Sequence, residues 1–146
     1  MSRVFVSEGT GAAIYVFTDD HCPPHVHARH RGEGRVARAG FSYVTNAVGL
    51  ISIAPLKNGP LQRVVNRCLD DVRARPADCR QSWWETKQTT CLANRWGAMP
   101  AAGKIGLVSE RTPDAKQISD ASYDPATERL QVTFQDGTTV EVSIRP

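Results

Sequence analysis

Two consecutive prolines, Pro23 and Pro24, interrupt the most chemically loaded run of the chain, Thr18-Asp19-Asp20-His21-Cys22-Pro23-Pro24-His25-Val26-His27-Ala28-Arg29-His30. Neither proline has an N–H to give to a ladder or a helical turn, and each fixes its own φ, so no regular element passes through them. The run must fold as a corner that ends one element and starts another. All four histidines of the 146-residue chain lie between positions 21 and 30. Imidazole is the commonest metal-ligating side chain and the natural acid–base group near neutral pH, so the corner is also where chemistry is expected.

Beyond the prolines the chain reads as a strand from His25 to His30. Side chains two apart on a strand share a face, so His25 and His27 project together while Val26 and Ala28 face the core. His21 is a candidate third ligand, but four extended residues cover roughly 13 Å, so it converges with the pair only if the chain bends at Pro23-Pro24. Were His21, His25 and His27 to meet, three neutral imidazoles and a water would resemble a catalytic zinc site, with Asp20 as a further ligand and Asp19 or Asp20 as orienter or general base. The expected cofactor is then a divalent ion, zinc or manganese. Two other readings stay open: a rigid structural corner with His21 bonded to backbone carbonyls and the His25/His27 pair exposed, or a histidine patch that touches nucleic acid.

Around this corner the first 55 residues read as strands, Arg3–Ser7, Ala12–Thr18, His25–His30, Arg35–Phe41 and Val48–Pro55, separated by Gly-rich or Pro-rich breaks. Ala12 to Phe17 is apolar on both alternating faces, as a strand covered on both sides would be. Arg29 to Arg38 carries basic side chains around Gly32-Glu33-Gly34, an exposed hairpin in which Arg29, Arg31, Arg35 and Arg38 are candidates to contact nucleic acid or a partner. Asn58-Gly59-Pro60 opens a helix with an apolar stripe at Leu61, Val64, Val65, Cys68, Leu69 and Val72, ended by Arg75-Pro76. A second, less regular helix is expected from about Asp78 to Arg95, stopping at Gly97, with its tryptophans in the core.

Residues 97–117 lack periodicity and read as a connecting segment. Then come three short strands, Ile118–Tyr123, Arg129–Gln135 and Thr138–Ile144, the last two joined by the hairpin dipeptide Asp136-Gly137. Leu130, Val132 and Phe134 alternate with polar residues, and three strands alone are marginal, so this tail must pack on something. The expected fold class is α+β: a small antiparallel sheet with two packed helices over residues 1–96, a connecting segment at 97–117, and a three-stranded β unit at 118–146.

The charge balance is mild, +3; it permits nucleic-acid or acidic partners without requiring them. No charged and apolar leader opens the chain and no apolar run approaches the roughly 20 residues of a membrane span, which leads us to expect a cytoplasmic protein with no membrane partner. The four cysteines, Cys22, Cys68, Cys79 and Cys91, lack CxxC spacing, so reduced thiols are expected. Neither a GxSxG elbow nor a GxGxxG turn occurs, which leaves nucleotide binding and serine catalysis without support. Cys22 beside His21 is a weaker candidate for an activated thiolate.

The stretch Asp20-His21-Cys22-Pro23-Pro24-His25-Val26-His27 resembles a family of small bacterial proteins of unknown function, marked by an acidic residue followed by His-x-Pro-Pro-His-x-His. The likeness runs more loosely over residues 3–96, and Ile118–Ile144 resembles a second small β family often encoded beside the first. That resemblance implies a toxin–antitoxin or mobile-element conflict role through binding of a partner protein or nucleic acid; a phage inhibitor of a bacterial defence complex falls within this class, and a homodimer is a further option if the tail docks on another copy. The leading expectation is thus a binding or regulatory module. The alternative is a metal-dependent nuclease or phosphodiesterase in which His21, His25 and His27 hold the ion, Asp20 assists, and Arg29, Arg31 and Arg35 contact phosphates.

Overall fold

In the computed structural model, residues 2–8, 10–30, 35–45, 48–54, 62–101 and 103–144 are described. They form two compact units, residues 1–42 with 46–88, and residues 43–45 with 89–146. The class is α+β, with two helices and two antiparallel five-stranded sheets among the described residues.

In the first unit, β1 (Ser2–Val6), β2 (Ala13–Val16), β3 (His25–His30), β4 (Arg35–Gly40) and β5 (Gly49–Ala54) pair in chain order as one meander. The register fixes which side chains share a face. Tyr15 pairs with His27, His27 with Arg38, and His25 with Gly40. Ile14, Val26, Ala28, Ala37 and Ala39 alternate with them and are buried. This is the period-two pattern expected from the sequence.

Of the expected stripe, helix α1 (Gln62–Ala74) buries Val65, Cys68, Leu69 and Val72 and leaves Val64 half-buried. The Asn58-Gly59-Pro60 start and Leu61 lie outside the described residues. Buried Ser7, just after β1, donates to Asp71 of α1 and accepts from Thr10 Oγ1 at 2.7 Å, so polar groups are satisfied where helix and strand meet. Helix α2 (Pro76–Lys87) begins on proline, which suits a first turn that has no use for the N–H. It buries Cys79, Arg80 and Trp83. The Arg80 guanidinium is deep but bonded, Nε to the Ser42 carbonyl at 2.9 Å. Burial pushes the Cys79 thiol up to about 12, so it behaves as a small hydrophobe.

The second helix is shorter than expected. Gln88 adopts the left-handed conformation (φ 54°) and returns its N–H to the Trp84 carbonyl, closing the helix eight residues before Arg95 is passed. Gly97 is not a helix stop but a strand residue, where an added Cβ would meet Ile105 Cδ1 at 3.0 Å. Residues 97–117 are correspondingly not a bare connection: β6 (Trp96–Ala101) and β7 (Lys104–Val108) lie there.

These two strands supply what the tail needs. β8 (Lys116–Asp124), β9 (Arg129–Phe134) and β10 (Thr139–Ser143) join them in the order β10-β9-β8-β6-β7, five strands where three were expected. Ile118, Ala121, Tyr123, Leu130, Val132, Phe134 and Val142 fill the core of this unit. The sheet curls toward closure, since the Ser143 N–H at the end of β10 donates to the Gly103 carbonyl ahead of β7 at 3.2 Å. Curling removes edge groups that would otherwise stay unpaired. The Asp136-Gly137 turn is as read: Gly137 has φ 87°, and Asp136 accepts from the Thr138 N–H and hydroxyl, which with Lys116 hold its carboxyl down at about 2.

Cys68 and Cys79 are free and buried. Cys22 and Cys91 are each disulfide-bonded, which corrects the expectation of four reduced thiols and removes Cys22 as a free thiolate nucleophile. No helix among the described residues is long and apolar enough to cross a membrane.

Candidate metal centre

Three donor atoms meet where the loop after β2 reaches back over the start of β3. Asp20, His25 and His27 each offer one ligand atom, and these atoms lie within 4.8 Å of one another. Asp20 Oδ1 is 2.8 Å from His27 Nε2 and 3.4 Å from His25 Nε2.

Local backbone bonds set this geometry. The Asp20 N–H donates to the Phe17 carbonyl at 3.2 Å, and the Phe17 N–H donates to Asp20 Oδ2 at 2.9 Å. This reciprocal pair ties up one carboxylate oxygen and aims the other at the imidazoles. His25 Nδ1 lies 2.8 Å from the Pro23 carbonyl, which can only accept, so Nδ1 is the donor to the backbone and Nε2 is the nitrogen that faces Asp20. A ring held through its second nitrogen by a backbone carbonyl is the usual outer support of a metal-ligating histidine.

Both imidazoles are buried, 8% and 7% exposed, and not displayed on an open edge. Phe17 meets the His27 ring edge-on at 4.5 Å between centroids, and Trp83 of α2 lies 5.3 Å from the His25 ring. Burial foremost lowers the His27 pKa, against the pull of Asp20. For Asp20, burial opposes the charge, but the Phe17 N–H, the His27 hydrogen bond and the positive potential of the two imidazoles outweigh it, so its pKa is also lowered. At neutral pH the pair is therefore carboxylate and neutral imidazole, the protonation states a metal ion requires.

Of the four residues expected to bind metal, the structure brings three together. His21 is exposed and outside the group: the chain turns at Cys22–Pro23, whose peptide bond is cis, but the residue delivered to the histidine pair is Asp20. His21 instead lines an open cavity of about 410 Å³ together with Asp19, Asp20, His25, Arg38 and Ile51. Among the expected contact arginines, Arg29 and Arg38 are exposed on β3 and β4. Arg31 and the side chain of Arg35 lie outside the described residues. What sequence reasoning missed is the supporting shell, Phe17, Pro23 and Trp83. The only signal for it was the apolar run through Phe17 and the position of a carbonyl just before His25.

No protein-family profile, curated protein or solved structure matches the chain.

Proposed function

We propose that the first unit is a divalent-metal-binding domain in which Asp20 Oδ1, His25 Nε2 and His27 Nε2 hold the ion, and that the protein acts through that ion as a metal-dependent phosphoesterase. The observation that carries this reading is the convergence of one carboxylate oxygen and two imidazole nitrogens within 4.8 Å of one another, Asp20 Oδ1 standing 3.4 Å from His25 Nε2. The spacing suits an ion: at ligand distances of about 2.0–2.2 Å, two ligands of one tetrahedral centre stand roughly 3.3–3.6 Å apart. Asp20 and His27, at 2.8 Å, need to open by only about 0.5 Å as the ion takes the place of their shared proton.

Two histidines and one carboxylate leave coordination positions free, as catalytic sites do and closed structural sites do not. Held by Asp20, His25 and His27, a divalent ion would supply Lewis-acid polarisation of a phosphoryl oxygen and would lower the pKa of water toward about 7. Asp20 and His25 line the cavity of about 410 Å³, from which a substrate would approach those positions.

The toxin–antitoxin or conflict-type binding role is the second reading. Its support is the likeness of the Asp-His-x-Pro-Pro-His-x-His run, and in it the ion would organise a surface for a protein partner. Phosphodiester and phosphomonoester hydrolysis assayed with Zn²⁺ or Mn²⁺, before and after chelation, separates the two. Activity lost on chelation and restored by the ion supports the enzyme; a metal-loaded protein that cleaves nothing and still binds its partner supports the second reading.

A further inference from the structure

Among the described residues Arg38 forms no ion pair. It is exposed on β4, directly across the ladder from His27. It lines the same cavity as Asp20 and His25, near enough to His27 for its charge to bear on that ring. Ile51, an exposed large hydrophobic residue at the β4–β5 bulge, lines the same cavity. Its Cδ1 would lie 3.1 Å from a Cβ on Gly40, and Gly40 is the cross-strand partner of His25, so the missing side chain there lets Ile51 lean toward the centre.

Resting on the metal reading above, we infer that this cavity binds a small phosphate ester, with the phosphate bridging the ion and the Arg38 guanidinium and the organic part lying on Ile51. Charge points to an anion. A divalent ion keeps one positive charge after Asp20, Arg38 adds a second, and Asp19 on the wall offsets one of the two. Geometry points to phosphate over carboxylate. A carboxylate has two oxygens in one plane, enough for either the ion or the guanidinium fork, whereas a phosphate monoester presents three oxygens and serves both. Size points to a small molecule, since about 410 Å³ falls at the low end of the roughly 300–1,000 Å³ usual for small-ligand sites. His21, outside the ligand set but on the same wall, is a second donor for the phosphate.

The test is calorimetric titration of the full chain, first with Zn²⁺, then of the Zn²⁺-loaded protein, freed of excess ion, with phenyl phosphate, inorganic phosphate, benzoate and a short oligonucleotide. Expected are binding of phenyl phosphate more tightly than of inorganic phosphate, and none to the metal-free protein. Arg38→Ala weakens phenyl phosphate about tenfold or more with Zn²⁺ affinity kept, Arg38→Lys falls between, and Ile51→Ser brings phenyl phosphate down to the level of inorganic phosphate. Uptake of Zn²⁺ without phenyl phosphate binding, equal binding by Arg38→Ala, or preference for benzoate or the oligonucleotide overturns this inference alone. Failure to take up Zn²⁺ overturns the metal reading and this inference with it.

Discussion

Asp20 Oδ1 lies 2.8 Å from His27 Nε2 although a double-proline corner stands between the two residues in the chain. The corner is what makes the approach possible: it turns the chain so that a loop residue faces the first residues of the strand that follows. Once the two are together, burial holds the imidazole neutral against the pull of the carboxylate, and hydrogen bonds hold the carboxylate ionised against its burial.

That relationship sets the pH dependence of the metal-free protein. The native pKa of His27 is lowered from its ordinary value of 6.5, so between the two values the unfolded chain binds more protons and stability rises with pH. The His27 contribution is full above 6.5 and lost as pH falls through its lowered native value. Asp20, lowered from 3.8, adds a second loss that begins below that value. Thermal unfolding followed from pH about 7 to about 3 should show Tm falling in both limbs, and His27→Asn should flatten the first. A wild-type Tm that holds or rises as pH drops through 6 would be incompatible with a buried neutral His27.

Trp83 is fully buried against His25 and Phe41, and its Nε1–H has no hydrogen-bond partner among the described residues. Trp83→Phe keeps an aromatic ring on His25 and discards an unsatisfied donor, so it should cost less than about 1.5 kcal/mol, while Trp83→Ala costs about 3–5. Denaturant titration of both variants decides this. A phenylalanine variant as unstable as the alanine one would mean that the indole N–H is bonded after all.

Leu130 is fully buried on β9 and its neighbour Gln131 is exposed. Leu130→Ala should destabilise the second unit by about 2–5 kcal/mol and Gln131→Ala by less than about 0.5. Ending the chain before Ile118 removes three of the five strands of that sheet and should unfold what remains of it. Amide exchange across residues 96–108 reports this directly; protection retained there after truncation would show β6 and β7 to be stable without the tail.

How much of this was legible in the sequence depended on how local the cause was. The five strands of the first unit and the α1 stripe follow from period and turn residues close at hand, and the His25/His27 face follows from alternation alone. Failures came where a distant contact decided. Gly97 looks like a helix stop until Ile105 packs on it, and β6 and β7 show no alternation because one carries Gly and Pro and the other is half-exposed. A bend at Pro23-Pro24 was expected to bring His21 to the pair; the chain turns there, but the residue that reaches the pair is Asp20. The choice of Asp20 is made by the Phe17 backbone, whose position only the folded sheet fixes.

The central claim is that Asp20, His25 and His27 form one metal site from which His21 is absent. Metal content measured on protein purified without a histidine tag, then equilibrated with Zn²⁺ and dialysed, tests it most directly. The wild type and His21→Ala should each retain one ion per chain, and Asp20→Asn, His25→Ala and His27→Ala should lose it. A wild type that retains no ion, or a His21→Ala variant that loses it as His25→Ala does, would contradict the account.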